Sequence, residues 1–158
     1  MTQPNKIGIL IRVSKALTEA GIVHAVGGSA MLHLKGIVST LDDIDIMVRV
    51  MDKKVIETVM GRLAGRVTSP VDPAYGTCVF MTYELEGCRI EIIGGYHVRN
   101  DSKKRTFVFD THMIERHVTM DGVSVPLAYL SDWETWYALI GRDSRVSEIR
   151  QAVGRGLR

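Results

Sequence analysis

Two aspartates separated by one residue, Asp43 and Asp45, are the first residues in this chain whose type and spacing suggest chemistry. They begin a segment, 44–50, in which apolar and polar residues alternate as in a β-strand. Because successive side chains of a strand point to opposite faces, both carboxylates lie on one face, with Cα atoms roughly 6.5–7 Å apart. Oxygens at that spacing can converge on one or two hard cations such as Mg²⁺. The spacing therefore predicts a pair of metal ligands.

A third carboxylate, Glu91, alternates in the same way within the apolar strand Arg89-Ile-Glu-Ile-Ile93. If this strand neighbours the one that carries Asp43 and Asp45, three carboxylates meet on one side of the sheet. Such a cluster is costly alone, because like charges at short range repel and raise each other's pKa. Two Mg²⁺ ions about 3.5–4 Å apart would remove that repulsion and could stabilise an in-line phosphoryl displacement.

The dipeptide Gly27-Gly28 and the following Ser29 lie between a short apolar strand and a short helix. Glycines there let the backbone approach a ligand closely, and the N–H groups at a helix N-terminus attract anions. Ser29 adds a hydroxyl donor. The segment is not a Walker P-loop, because no Gly-Lys-Ser/Thr follows. Together with the carboxylates, it predicts a phosphate cradle beside a metal site.

Hydrophobic periodicity predicts the elements that must position these groups. The predicted helices span residues 5–20, 30–34, 52–63, about 131–141 and about 144–154. The predicted strands span residues 22–26, 44–50, 77–85, 88–93 and 107–109, with a small hairpin over 117–125. Strands and helices mix without strict βαβ alternation. The pattern predicts an α+β fold, a small mixed sheet with helices mainly on one face, followed by C-terminal helices.

Several local signals predict boundaries. Asp52 is typical of a helix N-cap, and Ser131-Asp-Trp-Glu134 is typical of a capping box. Gly94-Gly95 predicts a turn after the second strand of the hairpin. Loops are expected at 69–73, which holds two prolines, and over 97–105, where the run from Arg99 to Arg105 is polar.

Length and composition fit one globular domain. The 158 residues are 46% hydrophobic and 24% charged, with a net charge of +2 that is too balanced for a dedicated nucleic-acid coat. No apolar run is long enough to span a membrane, and the start has no signal-peptide core. Cys78 and Cys88 are expected to be free thiols, since the hairpin register places Cys88 opposite Leu85. We therefore predict a single domain over 1–158, with a core of about 5–125, that is soluble and cytoplasmic.

Three segments taken together carry a family resemblance. Val26-Gly-Gly-Ser-Ala-Met-Leu-His-Leu, then Ser39-Thr-Leu-Asp-Asp-Ile-Asp-Ile46, then Ile90-Glu-Ile92 resemble the nucleotidyltransferase superfamily related to DNA polymerase β. Its small prokaryotic members are the most similar: the aminoglycoside and lincosamide nucleotidyltransferases and the AbiEii-type toxins. The motifs lie within residues 23–93, a little under half of the chain.

The resemblance implies a role for each matching residue. Gly28 and Ser29 would contact the phosphates of a nucleoside triphosphate such as ATP, and Asp43 and Asp45 would bind magnesium. Glu91 would be a third metal ligand or the base for the acceptor hydroxyl. The implied reaction is attack of an acceptor hydroxyl on the α-phosphate, with transfer of the nucleotidyl group and release of pyrophosphate. The acceptor is left open as a small molecule, an RNA or a protein.

The sequence departs from the family pattern at one charged position. Many relatives have an Arg two residues before the Thr of the Asp-x-Asp segment, where this chain has Val38. Lys35 or Arg49 is the candidate for the missing charge, as a further contact to the nucleotide. The C-terminal part is also short, which suggests that acceptor binding uses a homodimer or a partner protein.

Two other functions compete with catalysis. One is a catalytically silent nucleotide-binding or antitoxin-like protein of the same fold that binds a partner. The other is a glycosyltransferase that uses Asp-x-Asp to hold a metal–diphosphate, in which the Gly-Gly-Ser segment has no role. His24 is expected to be a hydrogen-bonded core residue, and Trp133, Trp136 and Tyr137 are expected to be core rather than nucleobase-stacking residues. The arginines of 142–158 are expected on a solvated helix.

Overall fold

The structure is a computed structural model that describes residues 5–67, 75–100 and 103–158, with side chains described for 5–67, 79–95 and 108–158. The proline-containing loop expected at 69–73 and the side chain of Cys78 lie outside these residues. Within the described part, no helix combines the length and the apolar character that crossing a bilayer requires.

Five α-helices lie in the described residues, and they agree closely with the predicted ones. Their bounds are α1 Lys6–Glu19, α2 Gly28–Leu34, α3 Lys53–Leu63, α4 Leu130–Leu139 and α5 Asp143–Gly154. The apolar stripe of α1 buries Ile9, Leu10, Val13 and Leu17, as helical spacing requires. In α3 the buried residues are Ile56 and Met60, whereas Val55 is exposed.

Eight strands form the sheet within the described part of the chain. Their bounds are β1 His24–Gly27, β2 Ile44–Val48, β3 Gly65–Val67, β4 Tyr75–Leu85, β5 Cys88–Asn100, β6 Lys103–Phe107, β7 Ile114–Met120 and β8 Val123–Ala128. The strand order is β3-β4-β5-β2-β1-β8-β7, and β6 pairs with β5 outside this path. The pairs β2–β5 and β1–β8 are parallel and the others are antiparallel, so the sheet is mixed, as predicted.

The core has two parts, which alternation along the strands separates. The larger part joins α1 and α3 to one set of strand residues, including Ile44, Ile46 and Ile90. The smaller part joins α4 and α5 to residues of opposite parity, such as Ala25 and Met47. Helices α1 and α3 thus cover one face, and the C-terminal helices pack against the face that carries Asp45.

The segment after Ile93 differs from the prediction. Gly94 and Gly95 do not form a turn: β5 runs through them to Asn100. A Cβ at Gly94 would lie 2.9 Å from the backbone oxygen of Val48, so glycine is required there for close strand packing rather than for a turn. The prediction of a loop over 97–105 is also wrong, since the backbone of 97–100 belongs to β5 and that of 103–105 belongs to β6. Polar runs are compatible with an antiparallel hairpin, because one face of it can be solvated.

Three smaller differences concern strand and helix ends. The short strand β3 was not predicted, and β6 ends at Phe107, so the strand expected over 107–109 is not formed. Helix α4 begins with Tyr129 as its N-cap residue and has no side-chain cap hydrogen bond, so the expected capping box does not form. Cys88 is a buried free thiol and pairs in register with Leu85, as expected.

His24 is a buried core residue, as predicted. Its Nδ1–H donates to the carbonyl oxygen of Ile22 at 3.0 Å, and Nε2 lies 2.8 Å from Ser14 Oγ, from which the neutral ring accepts. Burial lowers the pKa of His24 below its ordinary value of 6.5. The folded protein therefore holds a neutral imidazole.

His24 should make the folded state sensitive to acid. Below about pH 6.5 the unfolded chain takes a proton that the folded chain refuses, so stability that is full above pH 6.5 should fall on acidification toward the lowered pKa. We expect the free energy of unfolding to fall by up to about 1.4 kcal/mol per pH unit there, relative to His24→Gln. Urea unfolding between pH 8 and pH 5 measures this slope. The exposed His112→Gln is the control, and equal slopes in wild type and His24→Gln would contradict the prediction.

Candidate active site

Four neighbouring strands bring one residue each into a single row. Thr82 of β4 pairs with Glu91 of β5, Glu91 pairs with Asp45 of β2, and Asp45 pairs with Gly27 of β1. Residues directly across from each other share a face of the sheet. The strands that carry the predicted carboxylates, β2 and β5, are therefore neighbours, and Asp45 and Glu91 lie side by side on one face.

The carboxylate of Asp45 lies directly against the backbone of Gly28. A Cβ at Gly28 would lie 2.0 Å from Asp45 Oδ2, far closer than two non-bonded atoms can approach. Gly28 also has φ +57, a left-handed conformation that favours glycine. Glycine at this position thus allows α2 to start beside the acidic strand.

The clustered charges change the protonation of both aspartates. Burial, the charge of Glu91 and a hydrogen bond with the Glu91 carboxyl raise the pKa of Asp45 well above its usual value. Burial and the charge of Glu91 also raise the pKa of Asp43. Glu91 is held in turn by Arg89, whose Nε lies 3.1 Å from Glu91 Oε1. The site is therefore short of positive charge, and a cation would stabilise the ionised carboxylates.

Among the residues whose side chains are described, no three or more His, Cys, Asp and Glu side chains already stand in an arrangement that would hold a metal ion. Asp45 and Glu91 lie side by side, and the charge of Glu91 contributes to the raised pKa of Asp45. The structure thus brings two of the predicted ligands, Asp45 and Glu91, together on one face of the sheet.

Ser29 connects the start of α2 to the backbone of Asp42 and Asp43, which precede β2 and are called the acidic turn below. Its Oγ accepts from the backbone N–H of Asp42 at 3.0 Å and donates to the carbonyl oxygen of Asp43 at 3.2 Å. The residue is only 6% exposed. Both contacts position the backbone that carries Asp43, a role that the sequence did not reveal. The predicted contact of Ser29 with phosphate stays a prediction.

Replacing Ser29 with alanine should loosen the acidic turn. Two half-buried backbone groups would lose their partner, at a cost of about 1–3 kcal/mol each if water does not replace it, and Asp43 would lose its support. We expect a lower unfolding midpoint and, if the site is catalytic, about tenfold slower turnover. Ser144→Ala, at an exposed position of α5, is the matched control. Wild-type stability in Ser29→Ala would contradict this account of the hydroxyl.

Gly27 lies under an aromatic side chain of α4. A Cβ on it would stand 2.1–2.2 Å from three atoms of the Trp133 indole, so the ring rests directly on the glycine backbone. Trp133 Nε1 is buried without a hydrogen-bond partner among the described residues. The Tyr137 ring packs on Trp133 with centroids 5.4 Å apart, and burial together with the charge of Asp45 raises the pKa of Tyr137 to about 12. Trp133, Trp136 and Tyr137 are core residues, as predicted.

Lys35 and Arg49, the predicted extra nucleotide contacts, each have a carboxylate partner. Lys35 Nζ lies 2.9 Å from Glu115 Oε1 of β7, with its side chain 1% exposed. Arg49 Nε donates to Asp52 Oδ2 at 2.9 Å, just beyond the end of β2 opposite to Asp43. Asp52 is the N-cap residue of α3, but its carboxylate serves Arg49 instead of the helix. The nucleotide-binding role of both cations stays a prediction that these ion pairs do not favour.

Sequence reasoning missed three side chains near the acidic residues: one threonine and two arginines. Thr82, 2% exposed, lies across from Glu91, and its parity within the predicted strand 77–85 was the available signal. Arg145 Nη2 lies 3.2 Å from Asp42 Oδ2, and the charge of Arg142 acts on Asp45. Both arginines belong to the segment that was expected to be solvated, and no local pattern distinguishes them from the other arginines there.

Solved structures with a similar fold were found by comparing the whole chain with them. An assumed nucleotidyltransferase from Thermotoga maritima, TM1012, superimposes with a TM-score of 0.73, over 98% of this chain and 96% of that one, at 20% identity. The chain has the nucleotidyltransferase fold. It is also similar to ANT(2″)-Ia in complex with adenylyl-2″-tobramycin, with a TM-score of 0.64 at 14% identity, over 97% of this chain and 92% of that one.

A third structure with the nucleotidyltransferase fold is the lincomycin-bound lincosamide antibiotic adenylyltransferase LnuA. It matches with a TM-score of 0.58 at 11% identity, over 95% of this chain and 98% of that one. No family model and no curated protein match the sequence. At these identities the likeness is one of fold, and it confirms the fold that the three motifs within residues 23–93 predicted.

Proposed function

We propose that this protein is a Mg²⁺-dependent nucleotidyltransferase that moves a nucleoside monophosphate from a nucleoside triphosphate to an acceptor hydroxyl and releases pyrophosphate. The observation that carries the proposal is the register that sets Asp45 beside Glu91, with Asp43 two residues away, on a sheet with the nucleotidyltransferase fold. Two carboxylates side by side on one face, with a third two residues away and the bend at Gly27 and Gly28 between β1 and α2 beside them, match the chemistry that the reaction needs.

The residues present fit a divalent cation. Their donors are carboxylate oxygens, which Mg²⁺ prefers, and a cation would offset the burial and repulsion that raise the pKa values of Asp43 and Asp45. Asp43, Asp45 and Glu91 would hold the metal. When bound, Mg²⁺ would neutralise the triphosphate and stabilise the charge that develops during transfer.

The protein's own residues position the reactants. Ser29 fixes the acidic turn, and Gly28 lets α2 begin directly beside Asp45. In the reaction the acceptor oxygen forms a bond to the α-phosphorus as the bond to the bridging oxygen breaks, and the two terminal phosphates leave as pyrophosphate. A carboxylate of the cluster takes the acceptor's proton. Such a reaction depends on alignment and charge neutralisation more than on covalent catalysis.

The proposed acceptor is a molecule that bears a hydroxyl group. ATP is one proposed nucleotidyl donor. ANT(2″)-Ia was seen with an adenylylated aminoglycoside, and LnuA with lincomycin. This chain spans 92% and 98% of those two chains. The acceptor's identity, and a homodimer or partner protein, stay predictions.

Transfer of label from α-³²P-labelled nucleoside triphosphates tests the function. Wild-type protein would be incubated with Mg²⁺, each of the four triphosphates, and a panel of aminoglycosides, lincosamides, transfer RNA and protein. We expect acceptor-dependent transfer of the label, accompanied by release of unlabelled pyrophosphate that a coupled assay measures; EDTA should abolish both, and the variant Asp43→Asn/Asp45→Asn should lack both.

Asp121→Asn is the matched control for that assay. Asp121 lies on the exposed turn between β7 and β8 at φ +49, a conformation that asparagine tolerates. Its pyrophosphate release should equal that of wild type. Equal release by Asp43→Asn/Asp45→Asn would contradict the proposed site. Triphosphate binding without turnover on any acceptor would favour a silent nucleotide-binding protein.

A further inference from the structure

A continuous set of ring contacts leads from the strand-to-helix bend to the junction of α4 and α5. Trp133 rests on Gly27, Tyr137 packs on Trp133, and the guanidinium carbon of Arg142 lies 5.7 Å from the centre of the Tyr137 ring. Gly27 is the register partner of Asp45. Arg142 is therefore tied through packed groups to the face that carries the carboxylates.

The backbone around Arg142 is also fixed. Its N–H donates to the carbonyl oxygen of Tyr137 at 2.8 Å, which closes the end of α4. Three residues later, Arg145 Nη2 contacts Asp42 Oδ2 at 3.2 Å and Nη1 lies 3.6 Å from Glu148. With its side chain only 15% exposed, Arg145 connects α5 to the acidic turn. The junction is thus anchored on both sides of Arg142.

Arg142 itself is exposed, although its charge reaches the site. Its positive charge lowers the pKa of Asp45 and that of Tyr137, against the larger effect of burial on each. A guanidinium on an aromatic face keeps its donors directed outward and can bind phosphate through two parallel hydrogen bonds. The position combines a fixed backbone, an exposed donor group and nearness to the acidic face.

We propose that Arg142, held by the packed Trp133 and Tyr137 rings, binds the anionic phosphate tail of the nucleoside triphosphate. The inference rests on the proposed function and names a residue of its donor site. It also accounts for the charge that Val38 does not provide. Lys35 and Arg49 are each paired with a carboxylate, whereas Arg142 is exposed and its guanidinium lies on the Tyr137 ring.

Binding measurements on the full chain can separate this role from a structural one. Three probes are used in the presence of Mg²⁺: a non-hydrolysable ATP analogue, inorganic tripolyphosphate and AMP. Calorimetry measures the affinity for each. We expect Arg142→Met to weaken the analogue and tripolyphosphate by about 10-fold to 100-fold and AMP by less than twofold, since charge-assisted bonds to phosphate are lost. Arg142→Lys should recover part of the affinity, because it keeps the charge but not the paired donors.

Arg150→Met is the control, because Arg150 lies on α5, the helix that follows Arg142, and its exposed side chain pairs with Glu134. It should bind all three probes as wild type does. If Arg142→Met keeps wild-type affinity for tripolyphosphate, or loses AMP equally, the inference is overturned and the proposed function is untouched. If wild-type protein binds neither the analogue nor tripolyphosphate, both are overturned.

Discussion

Asp45→Asn is expected to abolish nucleotidyl transfer and at the same time to stabilise the metal-free protein at pH 7. The loss of a metal-binding oxygen charge should slow transfer by about 10³-fold or more, equivalent to ~4 kcal/mol of transition-state stabilisation. The gain in stability, about 0.5–2 kcal/mol, follows because the wild-type site holds Asp45 against the charges of Glu91 and Asp43.

The pH dependence of that gain has a definite sign. Since the pKa of folded Asp45 is raised above its unfolded value, the folded protein binds more protons than the unfolded chain between the two values. Stability should therefore rise as the pH falls through the raised pKa, and the difference from Asp45→Asn should shrink. Thermal unfolding in EDTA at pH 7.5, 6 and 4.5 would show this.

Magnesium provides the complementary measurement. It should raise the melting temperature of the wild type, which gains RT ln(1 + [L]/Kd), and raise that of Asp45→Asn much less. Asp121→Asn should respond to Mg²⁺ and pH as the wild type does. If Asp45→Asn were less stable than wild type at neutral pH without metal, the electrostatic account of the site would be wrong.

Gly28→Ala is expected to damage stability and transfer together. The left-handed backbone costs an alanine about 1–2 kcal/mol, and the new Cβ, 2.0 Å from Asp45 Oδ2, must displace packed atoms at a further cost of about 1–3 kcal/mol. Because the carboxylate is the group that has to move, transfer should fall by about 100-fold. Chemical denaturation and the labelled-triphosphate assay measure the two effects.

Gly21→Ala is a matched control for the backbone cost. Gly21 has φ +75, and nothing lies within 4 Å of the position that its Cβ would take, so alanine there pays the conformational cost alone. Adding Asp45→Ala to Gly28→Ala should restore part of the lost stability, since the clash disappears with the carboxylate. Strictly additive effects of the two substitutions would show that the contact with Asp45 is not the cause.

Much of the fold could be predicted because its signals are local. The apolar stripe of α1 and the alternation around Ile44 and Ile46 set the element type within a few residues of each position. Gly94 shows where such local inference fails: Gly-Gly suggested a turn, but the Val48 carbonyl of a neighbouring strand requires the glycine. A close contact between distant segments leaves no local pattern.

The candidate site divides in the same way. Alternation predicted that Asp43 and Asp45 share a face, but the hydroxyl of Ser29 was expected on phosphate and the structure has it on the acidic turn. Lys35 was a reasonable source of charge by its distance along the chain, yet its partner Glu115 comes from β7, eighty residues later. Partner choice among charged side chains is settled by three-dimensional proximity.

The sequence by itself determined which residues could act and to which face each would point, because side-chain parity in a strand repeats every two residues. Only the tertiary structure decided that β5 lies beside β2 in the register that joins Glu91 to Asp45, and that α4 lays Trp133 on Gly27 and presents the Tyr137 ring to Arg142. Strand order and register depend on how all apolar faces are buried at once, and no single segment encodes that.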